Sequence, residues 1–222
     1  MEQLSQFNNL MGIEDFRQEA LKLLHALPKE ANTRKDPSHK LFFSEIYSFF
    51  TLIQAKKKQW KNIQVKMRLD KSSDPDVEII GLDKIHFFEI TEVGFDHYEY
   101  KSMEKLNRCH FSMPVSINRN PTYYLKEINA NTPYFEFQDH DKCIKKNISD
   151  ILKAVQDKKI KYINKKITEV ALLVSFDDYG RIFHPDKSGS FSANLRELGI
   201  KKFPFAKIII VGRGQHTIYL EI

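Results

Sequence analysis

Cysteine is nearly absent: Cys109 and Cys143 are the only two in 222 residues. That is too few for a disulfide framework, in a chain long enough to bury a core without one, so both are expected to be reduced, structural thiols. Long apolar runs are missing too. The longest, around Val170 to Val174, falls far short of the roughly 20 residues that cross a bilayer. The opening residues Met1-Glu2-Gln3-Leu4-Ser5 lack a basic segment followed by an apolar stretch, which predicts a cytoplasmic protein with no membrane partner. Glycine and proline number only eight each, and no repeat or low-complexity segment interrupts the chain, which excludes collagenous and disordered classes. What remains is an ordinary globular composition, 41% hydrophobic, 12% aromatic and 29% charged. The net charge of +6 favours polyanionic partners without identifying one. Lysines cluster at 56–58, 145–146, 158–161, 165–166 and 201–202. Solvated helix ends and turns account for most such clusters.

Hydrophobic periodicity supplies the architecture. Phe16, Ala20, Leu23, Leu24 and Leu27 form the seam of a helix over 13–27, closed by Pro28, and a polar linker over 29–39 follows. Residues 40–59 carry Phe42, Phe43, Ile46, Phe49, Phe50 and Ile53 at helical spacing, which places Glu45 on or beside the buried face. Ile63, Val65, Met67 and Leu69 alternate with polar residues as a half-buried strand. Residues 76–80 and 85–91 read as two more strands, joined by the hairpin link Gly81-Leu82-Asp83-Lys84. A helix is predicted over 95–108, and 109–141, with Pro114, Pro121 and Pro133, forms an irregular insert of short strands and loops. Ile144, Ile148, Ile151, Leu152 and Val155 define another helix, and Val170-Ala171-Leu172-Leu173-Val174 a strand covered on both faces, as at a sheet centre. After a turn at 177–180 come a helix over 190–198 closed by Gly199 and strands over 207–211 and 216–221. The order predicts an α/β fold, a central mixed β-sheet flanked by helices, with 1–39 as N-terminal helix and linker and 40–222 as the main domain.

The pairs Pro75-Asp76 and Glu89-Ile90-Thr91 fall on adjacent predicted strands, with Glu45 on the helix before them. In these residues and this order of elements, over roughly 40–174 with 207–211 as a later strand, the chain resembles the PD-(D/E)XK nuclease superfamily. The resemblance implies a restriction-endonuclease-like fold and a Mg²⁺- or Mn²⁺-dependent endonuclease. It makes Asp76, Glu89 and Glu45 the metal ligands and catalytic carboxylates, with Thr91 in place of the family's usual Lys. Carboxylates are natural ligands for a hard cation that activates water against a phosphodiester. A threonine hydroxyl orients water but carries no charge, so the missing cation must come from elsewhere, with Lys84, Lys101 and Lys105 nearest in sequence. These lysines and Arg213 are candidates to contact nucleic acid, DNA in preference to RNA, and a homodimer would suit a double-strand cut.

Other readings stay open. Asp76 could simply cap a turn beside Pro75, and Glu89 could be an exposed strand residue paired with Lys84 or Lys66, leaving a non-catalytic nucleic-acid-binding or protein-interaction module. The Cys109-His110 and His140-to-Cys143 groups suit zinc in residue type but not in spacing. Lys187 and Ser188 precede a helix and could meet a phosphate, although Ser190 as a helix cap is the plainer reading. Tyr123, Tyr124 and Tyr134, near Asn118, Arg119 and Lys126, are candidates for stacking on unpaired bases.

Overall fold

The structure, a computed structural model, describes residues 2–26, 41–69, 75–93, 123–128, 132–137, 140–165, 169–176, 178, 185–214 and 216–222. Its chain begins with a 3₁₀ helix, Glu2–Asn8, that periodicity did not reveal, and a two-residue strand β1, Met11–Gly12. Helix α1, Ile13–Ala26, buries Phe16, Ala20 and Leu23, the predicted seam. A π-helical turn, Phe42–Ile46, runs directly into α2, Tyr47–Lys56. Strands β2, Gln64–Met67, β3, Val77–Ile80, and β4, Phe87–Val93, form an antiparallel meander. Strands β5, Tyr123–Ile128, and β6, Thr132–Phe137, pair with each other as a separate two-stranded sheet within the stretch whose sequence pattern was irregular. Helix α3 spans His140–Tyr162, followed by β7, Val170–Phe176, α4, Pro185–Glu197, β8, Lys207–Gly212, and β9, Thr217–Glu221. α4 starts earlier than the apolar pattern suggested. Pro185 suits a first helical turn, where its missing N–H leaves no bond unmade, so Ser190 lies inside the helix and does not cap it.

The main sheet has seven strands in the order β1-β2-β3-β4-β7-β8-β9. β4, β7 and β8 are parallel, with α3 and α4 in the connections, and β9 returns antiparallel. All seven residues of β7 are buried, as a strand covered on both faces requires. Its alternation divides the interior. Ala171 and Leu173, with Ile209 and Val211 of β8, face a core built with Phe16, Ile46, Phe49 and Phe88. Leu172, Val174 and Phe176, with Ile208 and Ile210, face a second core with Ile151, Val155 and Tyr162 of α3 and Phe191 and Leu195 of α4. The result is a three-layer α/β/α arrangement, the mixed sheet flanked by helices that the sequence predicted. Among the described residues no helix is long and apolar enough to cross a membrane.

Polar side chains tie the layers at a few buried points. Ser48 of α2 and Ser175 of β7 share a hydrogen bond of 2.6 Å through the first core. Asp178, 1% exposed, accepts from the Gly214 amide and from the Tyr219 hydroxyl at 3.0 Å, clamping the β8–β9 connection. Gly212 makes that clamp fit, since a Cβ there would stand 2.0 Å from Asp178 Oδ2 and 2.7 Å from the Tyr219 ring. Gly212→Ala is therefore expected to lower stability by about 3 kcal/mol, seen as a fall of roughly 6–12 °C in Tm. An unchanged Tm would show that the clamp yields without cost.

Candidate functional site

The site begins where the sheet opens. β3 and β4 pair through only two residue pairs, Val77 with Phe88 and Glu78 with Phe87. Beyond them β4 runs on from Glu89 to Val93 bonded to β7 on its other side. Asp76 occupies the fork. Its carbonyl accepts from Arg68 N at 2.7 Å, continuing the β2 side, while its carboxylate accepts from Ile90 N at 2.6 Å, replacing the carbonyl that a continued strand would offer β4. Pro75 helps explain the break, because a proline has no N–H to extend a ladder.

Glu89 lies on β4 among Phe87, Phe88 and Ile90 and is only 1% exposed. A buried carboxylate costs several kcal/mol in lost hydration unless its oxygens find partners. α3 supplies them: Lys158 pairs with Oε1, Lys161 Nζ lies 3.3 Å from the same atom, and the Tyr162 hydroxyl donates to Oε2 at 2.6 Å. The spacing 158, 161, 162 puts all three on one helical face. Lys158 is mostly buried and Lys161 more open, with side-chain exposures of 23% and 41%.

Glu45 enters from the π-helical turn ahead of α2, which packs against β4. A π turn adds a residue to the helical register and often marks a functional site. Here Phe42 and Ile46 fill the core while Glu45, half-buried, feels the charges of Asp76 and Glu89. Burial, and then those two carboxylates, push its pKa up to about 8 against the pull of Lys158. Burial and the Glu89 charge raise Asp76 to about 6, opposed by the Ile90 N–H, Lys158 and Lys161.

Asp76, Glu89 and Glu45, the three acidic residues singled out from sequence, lie near enough at the fork for their charges to act on one another. Thr91 shares the face of Glu89 by strand alternation and is half-buried. Lys84 is exposed in the β3–β4 turn at φ 62°, and Lys101 and Lys105 lie outside the described residues. Among the described residues, Lys158 and Lys161 are the cations that pair with Glu89. Neither Lys84 nor Lys66 is the partner of Glu89, and Glu89 is not an exposed residue. Arg213 is 3% exposed and pairs with Glu92, which makes it a strut between β4 and the β8–β9 connection. The predicted helix over 95–108, the linker 29–39 and Cys109-His110 fall outside the described residues, as do the side chains of His140, Cys143, Lys187, Ser188, Tyr123, Tyr124 and Tyr134.

Among the described residues no group of three His, Cys, Asp or Glu side chains is placed to hold a metal ion. Both oxygens of Glu89 are engaged by α3. Comparison of the chain with protein-family models, with curated proteins and with solved structures finds no match in any of the three.

A carboxyl whose folded pKa lies above its unfolded value binds its proton more tightly in the native state, so its contribution is favourable at low pH and is lost as pH rises through the folded pKa. For Glu45 the loss runs from about 4.5 to about 8. In metal-free protein, Glu45→Gln is expected to match the wild type near pH 4.5 and to exceed it at pH 9. The gain should be about 1–2 kcal/mol, less than the full shift implies because the group is only half-buried. Thermal unfolding across this range checks it, and a gain that is the same at both pH values would contradict the crowding of the three carboxylates.

Proposed function

We propose that the chain is a divalent-metal-dependent phosphodiesterase acting on nucleic acid, DNA in preference to RNA, built on a restriction-endonuclease-like sheet. The observation that carries this reading is the fork between β3 and β4, where the charges of Asp76, Glu89 and Glu45 act on one another and Lys158 pairs with Glu89. The order helix, three-strand meander, helix, parallel strand around that fork supports the resemblance to the PD-(D/E)XK nucleases.

The donor type suits Mg²⁺ or Mn²⁺, hard carboxylates of which two are pushed toward protonation by burial and by their neighbours, and because the three do not stand as a formed cage an ion would have to draw them together. Asp76, Glu89 and Glu45 are the residues that would hold it. Such an ion, when bound, lowers the pKa of water and offsets charge building on phosphoryl oxygens. The chain's own contributions follow from its geometry. The Ile90 N–H fixes the orientation of the Asp76 carboxylate. Tyr162 holds Glu89 through its far oxygen. Lys158 brings a positive charge into a poorly hydrated site, where it stabilises negative charge far better than in water. It takes the place of the lysine that Thr91 lacks, reaching the fork from α3, and the Thr91 hydroxyl orients water. Lys161, more open, meets the phosphate from the solvent side.

A second reading, a non-catalytic nucleic-acid-binding module, is favoured by Thr91 and by the engagement of Glu89 with α3.

Incubating the protein with labelled single- and double-stranded DNA and RNA in Mg²⁺ or Mn²⁺ separates the two. Wild type is expected to cleave, Asp76→Asn and Glu89→Gln to lose at least about 100-fold, and Lys158→Met to lose roughly 10²–10³-fold, partly restored in Lys158→Arg. Thermal unfolding provides an independent readout. Mn²⁺ should raise the Tm of the wild type through preferential binding to the native state, but not that of Asp76→Asn. Cleavage that survives in both carboxylate variants would overturn the assignment of the site, and binding without cleavage would favour the second reading.

A further inference from the structure

The end of α3 and the loop before β8 form one surface of unusual composition. Residues 159–165 and 198–206 together carry five lysines and no acidic residue. Two contacts join the segments. Lys159 Nζ donates to the Lys201 carbonyl, and the rings of Tyr162 and Phe205 pack with centroids 5.4 Å apart. Lys159 and Lys201 are close enough that the Lys201 charge adds to burial in lowering the pKa of Lys159. Amid these cations large apolar side chains face outward: Phe203 is 68% exposed, Ile160 63% and Ile163 55%. Exposed apolar groups clustered within a band of like charge mark a binding surface more often than a merely solvated one.

Phe203 is presented by a turn anchored on both sides. Phe205 N bonds to the Lys202 carbonyl at 2.9 Å, and the Phe205 ring is buried against Tyr162. The loop therefore exposes the Phe203 ring next in sequence to Lys201 and Lys202, in the segment that Phe205 and the Lys201 carbonyl tie to the end of α3. A duplex backbone would use the lysines but has no unpaired base to offer the ring. A single strand uses both, its phosphates against ammonium groups and a base stacked on the ring.

We infer that this surface, Lys159, Lys201, Lys202 and Phe203 with Ile160 and Ile163 at its border, binds single-stranded polynucleotide. It deepens the phosphodiesterase reading and rests on it only for what happens next to the bound strand. α3 connects the two places directly, since Lys158 and Lys161 reach Glu89 while Lys159 reaches the loop. A strand held here passes along the helix that supplies the fork with its cations.

The test measures binding of the full chain, in EDTA so that nothing is cut, to labelled single-stranded DNA, single-stranded RNA and duplex DNA, alongside vesicles of phosphatidylserine and phosphatidylcholine. Phe203→Ala is expected to weaken single-strand binding about tenfold and to leave duplex binding unchanged. Lys201→Gln with Lys202→Gln should reduce the slope of log K against log salt by about 1.4, the release of two phosphate contacts. Unchanged single-strand binding in both patch variants would overturn the proposal, as would equal loss for duplex and single strand in Phe203→Ala. Vesicle binding that depends on Phe203 while oligonucleotide binding does not would overturn it in favour of a lipid surface. If wild type never cleaves in Mn²⁺ but the binding pattern holds, the surface stands and the phosphodiesterase reading falls. Cleavage with no effect of the patch variants on binding leaves the reverse.

Discussion

A carboxylate buried at the middle of a sheet constrains much of what surrounds it. Glu89 is 1% exposed on a strand whose neighbours are aromatic and aliphatic, and the loss of its hydration is offset only because α3 delivers two ammonium groups and a phenol to its oxygens. That need sets the rotation of α3. Ile151, Val155 and Tyr162 face the second core, and Lys158 lies on the same side, one turn from Tyr162. The helix packs as a hydrophobic element while carrying a cation in its seam. Replacing the pair by apolar residues of similar volume would often be neutral or stabilising. A structural role alone therefore gives little reason to keep it.

The opening of the sheet beside Glu89 is the second constraint. Hydrogen bonding would favour a longer β3–β4 ladder, yet pairing stops at Val77 with Phe88. Asp76 compensates by accepting the Ile90 N–H with its side chain, so β4 is satisfied without being covered. A third carboxylate, Glu45, then reaches the same place from the π-helical turn, at a cost visible in its pKa of about 8 and in that of Asp76 near 6. Three acidic groups held against their own repulsion, with a lysine supplied from another layer, are the feature that the proposed cation would relieve.

Much of this was legible in the chain. The alternation of Ile63, Val65 and Met67, the apolar run beginning at Val170 and the helical seam of Phe16, Ala20 and Leu23 specify elements through burial, and burial is written directly in residue type. Asp76, Glu89 and Glu45 were singled out through the resemblance and the order of elements, not through any break in the apolar patterns. The cation was not. Sequence proximity pointed to Lys84, but a helix seventy residues downstream crosses over β4, and only the parallel pairing of β4 with β7 reveals that. One signal was present: Lys158 falls in register with Ile151, Val155 and Tyr162, a charge at a core-facing position. The 3₁₀ helix at Glu2–Asn8 and the β5–β6 hairpin left no clear period, being too short or too irregular to repeat one.

We propose the fork at Asp76 and Glu89 as a cation site, with Lys158 held there to act on what the cation binds. A crystal structure of the protein with Mn²⁺, using anomalous scattering to locate the ion, tests this most directly. One Mn²⁺ peak is expected about 2.2 Å from carboxylate oxygens of Asp76 and Glu89, with the Lys158 ammonium released from Glu89 Oε1. Saturating Mn²⁺ with no peak at the fork, and Lys158 still paired with Glu89, would contradict it.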